Sequence, residues 1–174
     1  MELAWKQLTE ERLRTGYRRV LRRTYKLPDG RVETFDIKDE GESVCILALT
    51  ADNRAVLVRQ FRPGPGKMVL DLPGGAIDSG ESALEAAARE LLEETGYTGD
   101  LREVGTCLEC AYSTKIRHNF VATNCQRVQT PTPDGNEFLE VLELTMDAFR
   151  ALLRSGQLTV VETGYMGLDH LGLI

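Results

Sequence analysis

The sequence predicts a mixed α/β (α+β) fold, and three observations carry that expectation. Strand-like segments are spread along most of the chain, helical periodicity is confined to a few segments, and the two kinds do not alternate regularly. With 174 residues, 42% of them hydrophobic and 28% charged, the chain has the size and composition of one ordinary globular domain. Residues 43–174 form its main body in this reading, and residues 1–42 an N-terminal extension.

Residues 3–14 read as a short helix, with Leu3, Leu8 and Leu13 among polar neighbours. Extended segments at 17–26 and 31–37 are joined by Pro28-Asp29-Gly30, a strong turn signal. Their Val20, Tyr25, Val32 and Phe35 alternate imperfectly with arginines, as in an exposed or partner-covered hairpin. A second hairpin, 43–50 with 55–60, turns at Ala51-Asp52-Asn53, and its apolar density predicts strands covered on both faces. A short strand at 68–72 stops at Pro73-Gly74-Gly75. Strands follow at 101–109, 116–124 and 139–144, with a Pro/Thr/Asp/Gly loop at 127–137. Helices close the chain at 146–155 and near 162–171.

The clearest helix is 82–95. Ser82 and Glu85 form a capping box at its start, and Gly96 offers a left-handed stop. At about 100° per residue, Glu90, Glu93 and Glu94 share an arc of roughly 100°. Ala83 and Ala86 lie on that stripe, while Leu84, Ala87, Ala88, Leu91, Leu92 and Thr95 form the expected core face. Clustered carboxylates repel one another. The stripe is either a solvated acidic face or a site for a hard divalent cation, since Mg²⁺ takes carboxylates together with substrate phosphates.

Net charge is −6, which argues against a protein held on nucleic acid by phosphate contacts. The charge is unevenly placed. Residues 1–36 hold nine basic and six acidic side chains, whereas residues 71–109 hold ten acidic and two basic ones. No apolar run suits a membrane span, and MELAWKQLTEER lacks a signal-peptide core, so a cytoplasmic enzyme is expected. Cys107-Leu-Glu-Cys110 matches C-x-x-C, a zinc half-site or redox pair, but no second close pair completes a zinc site. Cys45, in an apolar strand, reads as a small buried hydrophobe.

Gly75-x5-Glu81-x7-Arg89-Glu90-Leu91-x-Glu93-Glu94-x-Gly96-Tyr97 resembles the Nudix box at every fixed position. The loose position is Tyr97, where the pattern prefers an aliphatic residue. Val58-Arg-Gln-Phe-Arg62, Leu72-Pro-Gly-Gly75 and Asn136-Glu137-Phe-Leu-Glu140-Val141 are similar to the ADP-ribose and nucleotide-sugar pyrophosphatase branch. The resemblance implies a Nudix fold, a mixed β-sheet sandwiched between α-helices. It also implies hydrolysis of a nucleoside diphosphate linked to a further group, giving a nucleoside monophosphate and a sugar phosphate.

By the same resemblance, Glu90, Glu93, Glu94 and the Gly74 carbonyl hold about two or three Mg²⁺ ions, with Mn²⁺ as the alternative. Glu93 is a further or water-mediated ligand, and it counts among the catalytic candidates. Gly75, Glu81, Arg89 and Gly96 support the box. The general base is Glu137, with Glu140 as second choice. Arg62, Arg59, Tyr112 and Arg117 are candidates for substrate contacts. Positions 112–114 are Tyr-Ser-Thr where ADP-ribose pyrophosphatases carry a proline, which leaves ADP-ribose, GDP-mannose and other nucleotide sugars open. The N-terminal region is expected to form a homodimer. The alternatives are a housecleaning hydrolase of nucleoside triphosphates or dinucleoside polyphosphates, and a non-catalytic nucleotide-sensing module.

Overall fold

The structure is a computed structural model that describes residues 4–15, 18–133 and 138–174. The chain divides into two compact units, one of residues 1–42 with 108–116, the other of residues 43–107 with 117–174.

The first unit is a three-stranded antiparallel sheet of β1 (Lys6–Thr15), β2 (Arg18–Lys26) and β3 (Val32–Lys38), in that order. Here the sequence expectation of an N-terminal helix is corrected. Segment 6–15 has helix-compatible residues, but their partners lie across a ladder. Glu10 faces Arg23, whose Nε donates to it at 2.7 Å, and the Tyr25 hydroxyl donates to Gln7 at 3.4 Å. Tertiary pairing overrides a weak helical propensity, and Leu8 sits where the register shifts between Gln7 and Thr9. Trp5, Tyr25, Phe35 and Tyr112 form an aromatic cluster, with ring centroids of successive neighbours 5.4–6.3 Å apart. They line a cavity of about 330 Å³ together with Ile37 and Ala111. Segment 108–116 is tied to β3 by the Lys38 amide donating to Tyr112 O and by an ion pair between Lys38 and Glu109 at 2.5 Å. Burial pushes the Glu109 carboxyl up, but hydrogen bonds from Lys38 and Ser113 outweigh it and hold the group at about 2.

The second unit is a mixed sheet between helices. Its strands are β4 (Ser43–Thr50), β5 (Ala55–Arg62), β6 (Lys67–Asp71), β7 (Tyr97–Leu108), β8 (Ile116–Arg127) and β9 (Leu139–Leu144). They run in the order β6-β5-β4-β8-β7, with β9 on β5; β4 and β8 are parallel, while β5 is antiparallel to β4, β6 and β9. Strand alternation divides the side chains between two cores. Val44, Ile46, Ala48 and Val56 pack against Ala86, Ala87 and Leu91 of α1 (Ala83–Thr95). Cys45, Leu47, Leu49, Ala55 and Leu57 pack against Phe149 and Leu153 of α2 (Met146–Arg154) and Leu168 of α3 (Val161–His170). Every residue of β4 is buried, as its double-faced apolar pattern requires. Among the described residues no helix is long and apolar enough to cross a membrane.

Ala87, Leu91 and Thr95 of the expected core face of α1 are buried, but two of its other positions are not. Leu84 is 53% exposed and Ala88 is exposed, whereas Ala86 is buried and Ala83 packs against the core. The buried side therefore reaches into the acidic stripe: Glu94 is only 3% exposed, while Glu90 and Glu93 are half-buried. The physical reason lies in the loop after β6, which packs onto that side of the helix.

Candidate active site

Loop 72–76 runs along the start of β4. The Ile46 amide donates to Pro73 O and the Val44 amide to Gly75 O, each at 2.9 Å. This fixes the loop against the N-terminal half of β4 and brings it under α1. The Gly74 amide then donates to Glu94 Oε2 at 2.9 Å. Gly75 lies so close to Glu90 that an added Cβ would stand 2.2 Å from its Oε1, so a larger residue there would displace the Glu90 carboxylate. The helix itself begins at the Ser82–Glu85 capping box and ends at Gly96, whose φ of 75° suits the left-handed cap.

Arg89 organises the acidic stripe. Its Nε and Nη2 grip both oxygens of Glu81 at 2.9 and 3.0 Å, a bidentate pair. Its Nη1 donates to Glu90 at 2.8 Å and to Glu93 at 3.2 Å, and Nη2 also reaches Ala76 O at 3.1 Å. Hydrogen bonding to Glu81 first, and to Glu90 and Glu93 after it, raises the Arg89 pKa further above its ordinary value. The same contact pulls the Glu81 carboxyl below its usual range. Arg89 thus ties the loop to the helix and screens two carboxylates of the stripe.

The remaining sequence candidates separate by sheet face. Val56 faces α1, so alternation along β5 places Val58, Gln60 and Arg62 on the α1 side as well. Arg62 pairs there with Asp71 at 2.9 Å. Arg59 faces the other way and is paired with Glu140, its register partner on β9. Arg117, in step with Cys45-facing Asn119 on β8, also lies on the side of α2 and α3 and pairs with Glu162. Tyr112 belongs to the aromatic cluster of the N-terminal unit. Glu137 lies outside the described residues. Cys45 and Cys125 are buried, with thiols pushed up to about 12 and about 11 by burial, whereas Cys107 is half-buried and Cys110 exposed.

Sequence reasoning did not single out Asp71, the buried partner of Arg62. An aspartate closing the apolar strand Met-Val-Leu-Asp was the available signal, because a buried carboxylate must find a partner.

Comparison with known proteins decides the family. Residues 39–162 match the NUDIX domain. The chain belongs to the Nudix family. It is 29% identical to the ADP-ribose pyrophosphatase of Bacillus subtilis, over 80% of this chain and 77% of that one. It is 28% identical to the methanol dehydrogenase activator of Bacillus methanolicus, over 83% and 82%. A crystal structure of an ADP compounds hydrolase superposes over the full length of both chains with a TM-score of 0.81 at 22% identity, which shows the shared fold. The chain is a Nudix enzyme, a pyrophosphohydrolase, and its relatives include pyrophosphatases of ADP-ribose and of ADP-sugars.

Nudix hydrolases generally depend on divalent metals, and the donors present fit such an ion. Glu90, Glu93, Glu94 and the Gly74 carbonyl offer only hard oxygen ligands, the set that suits Mg²⁺ or Mn²⁺ over a softer metal. Among the described residues no three acidic, histidine or cysteine groups converge as a ready-made cluster. Instead the Arg89 guanidinium stands as the cation between Glu90 and Glu93.

Proposed function

We propose that this Nudix enzyme hydrolyses the pyrophosphate bond of ADP-ribose or a closely related nucleotide sugar, releasing a nucleoside monophosphate and a sugar phosphate. The observation that carries this reading is the division of charge on one sheet face. The carboxylates of α1 and the guanidinium of Arg62 lie on the same side, the first suited to metal ions and the second to a phosphate. The similarity to the Bacillus subtilis ADP-ribose pyrophosphatase supports the choice of sugar nucleotide.

In this reading Glu90, Glu93, Glu94 and the Gly74 carbonyl hold Mg²⁺, with Mn²⁺ able to replace it. The metal supplies charge neutralisation for the pyrophosphate and an activated water. Arg62 binds and orients a phosphate group. Glu81 and Arg89 keep loop and helix in register, and Gly75 and Gly96 permit that approach. Glu137 serves as general base. Arg59, Glu140 and Arg117 face the other side of the sheet and serve in ion pairs.

The test is a panel of ADP-ribose, GDP-mannose, nucleoside triphosphates and dinucleoside polyphosphates with Mg²⁺ or Mn²⁺, products identified by chromatography. Nucleoside monophosphate and sugar phosphate from ADP-ribose are expected. Release of pyrophosphate from triphosphates as the dominant activity would replace this reading with the housecleaning one.

The N-terminal unit is assigned to homodimerisation. Trp5, Leu8, Val32 and Tyr112 expose large apolar side chains within that unit, which a second copy could cover. Light scattering at micromolar protein is expected to give twice the 19.4 kDa chain mass, and monomers alone would reject the assignment.

A further inference from the structure

We propose that Asp71 is a positioning residue that aims Arg62 at the pyrophosphate, and that Thr159 locks Asp71 for that task. The inference rests on the assignment of Arg62 as a phosphate-binding residue. Asp71 closes β6, immediately before loop 72–76, and is 1% exposed. A carboxylate buried to this degree persists only when its charge and its lone pairs are met. Arg62 Nε donates to Oδ2 at 2.9 Å, and Thr159 Oγ1 donates to Oδ1.

The three residues come from separate parts of the chain. Val58 faces Asp71 across the β5–β6 ladder, so Asp71 and Arg62 share the α1 side of the sheet. Thr159 follows Leu158, which forms a parallel bridge with Leu70 of β6, and it precedes α3. The carboxylate is therefore held from two directions.

The form of the ion pair leaves part of the guanidinium uncommitted. Arginine and carboxylate frequently meet through two donors and two oxygens. Arg62 gives Asp71 one donor, Nε, while the second oxygen is taken by Thr159. Among the described residues Nη1 and Nη2 have no hydrogen-bond partner, and the Arg62 side chain is 40% exposed. What remains open is a two-donor edge of fixed orientation, the geometry that suits two phosphate oxygens. An unanchored arginine would give up its rotamer freedom at every binding event. The Asp71 anchor places that loss in folding instead.

The experiment is steady-state kinetics of the full chain on ADP-ribose with Mg²⁺, for Arg62→Ala, Asp71→Asn, Thr159→Val and the Arg62→Ala/Asp71→Asn pair, with melting temperatures alongside. Arg62→Ala is expected to raise KM about tenfold or more, and Asp71→Asn and Thr159→Val to raise it about three- to tenfold with smaller changes in kcat. In the Arg62→Ala background Asp71→Asn is expected to raise KM no further, because both changes remove one interaction. Full additivity, or unchanged KM in folded Asp71→Asn and Thr159→Val, overturns the positioning role alone. Unchanged KM and kcat in Arg62→Ala overturns the reading of Arg62 itself, and the inference with it. Should Asp71→Asn fail to fold, Thr159→Val carries the test, since it keeps the carboxylate and removes one donor.

Discussion

Glu94, two residues before the C-terminal cap of α1, accepts the Gly74 amide at 2.9 Å while nearly sealed from solvent. The bond joins a loop glycine to a carboxylate twenty residues later, and it turns the acidic side of α1 toward the sheet. A carboxylate buried in that place is held by a backbone donor, which favours its charged form.

Glu94→Gln separates the bond to Gly74 from the metal-binding role proposed for Glu94. The amide oxygen still accepts from Gly74, so the fold is expected to survive with a melting temperature within a few degrees of wild type. The charge is lost, and turnover with Mg²⁺ is expected to fall about a hundredfold or more. A wild-type rate in the folded variant would remove Glu94 from the metal assignment.

Gly75→Ala probes the close approach at Glu90. The added Cβ would stand 2.2 Å from Oε1, the far end of a side chain that can swing away. Stability is expected to drop by about 1 kcal/mol or less, because a flexible group yields, whereas Mn²⁺ affinity and kcat fall sharply as Glu90 leaves its place. Calorimetric Mn²⁺ titration set beside thermal unfolding reads both. Unaltered Mn²⁺ binding would show that Glu90 has no part in it.

Much of this site was legible in the sequence because its residues are chemically specific and close in the chain. The capping box, the Gly96 stop and the glycines before the helix each demand a local geometry, and each has it. The exact edges of the buried face of α1 were not legible. Leu84 and Ala88 look like core positions on a helical wheel, and only the bond from a loop placed by β4 shows that Glu94 goes inward instead. The N-terminal strand was hidden for a related reason. Glu10 and Arg23 become partners only when β1 and β2 pair, and no local pattern announces a long-range ladder. The sheet face of Arg59 and Glu140 follows from register, which the sequence leaves open by one residue.

Arg89→Ala should reveal itself in acid. The folded pKa of Glu81 is depressed by its bond to Arg89, so this pair contributes stability above the ordinary carboxylate value near 4.3 and loses it as pH falls through the folded value. Urea unfolding between about pH 3 and pH 6 is expected to show a steeper loss of stability on acidification for wild type than for Arg89→Ala. Identical slopes would mean that Glu81 is not ionised more readily in the folded state.

Tyr97 offers the opposite limb. It occupies the box position where an aliphatic residue is usual, yet its ring packs in the core under α1, and its hydroxyl donates to Glu143 Oε1 at 2.6 Å. Glu143 in turn holds Arg54 at 2.9 Å, so the phenol closes a link from the end of α1 through β9 to the start of β5. Burial, then the bond to Glu143, pushes the Tyr97 hydroxyl up to about 12. A raised acid group contributes its stability below the unfolded value and loses it as pH climbs toward the folded one. Tyr97→Phe is therefore expected to cost about 1 kcal/mol at neutral pH. Between pH 10 and about 12 the gap should narrow, because the unfolded wild type releases a proton that the folded protein retains. Denaturant titrations of both proteins across that range check it, and a gap that stays constant to the upper end would show that the hydroxyl ionises as freely in the folded protein as in the unfolded chain.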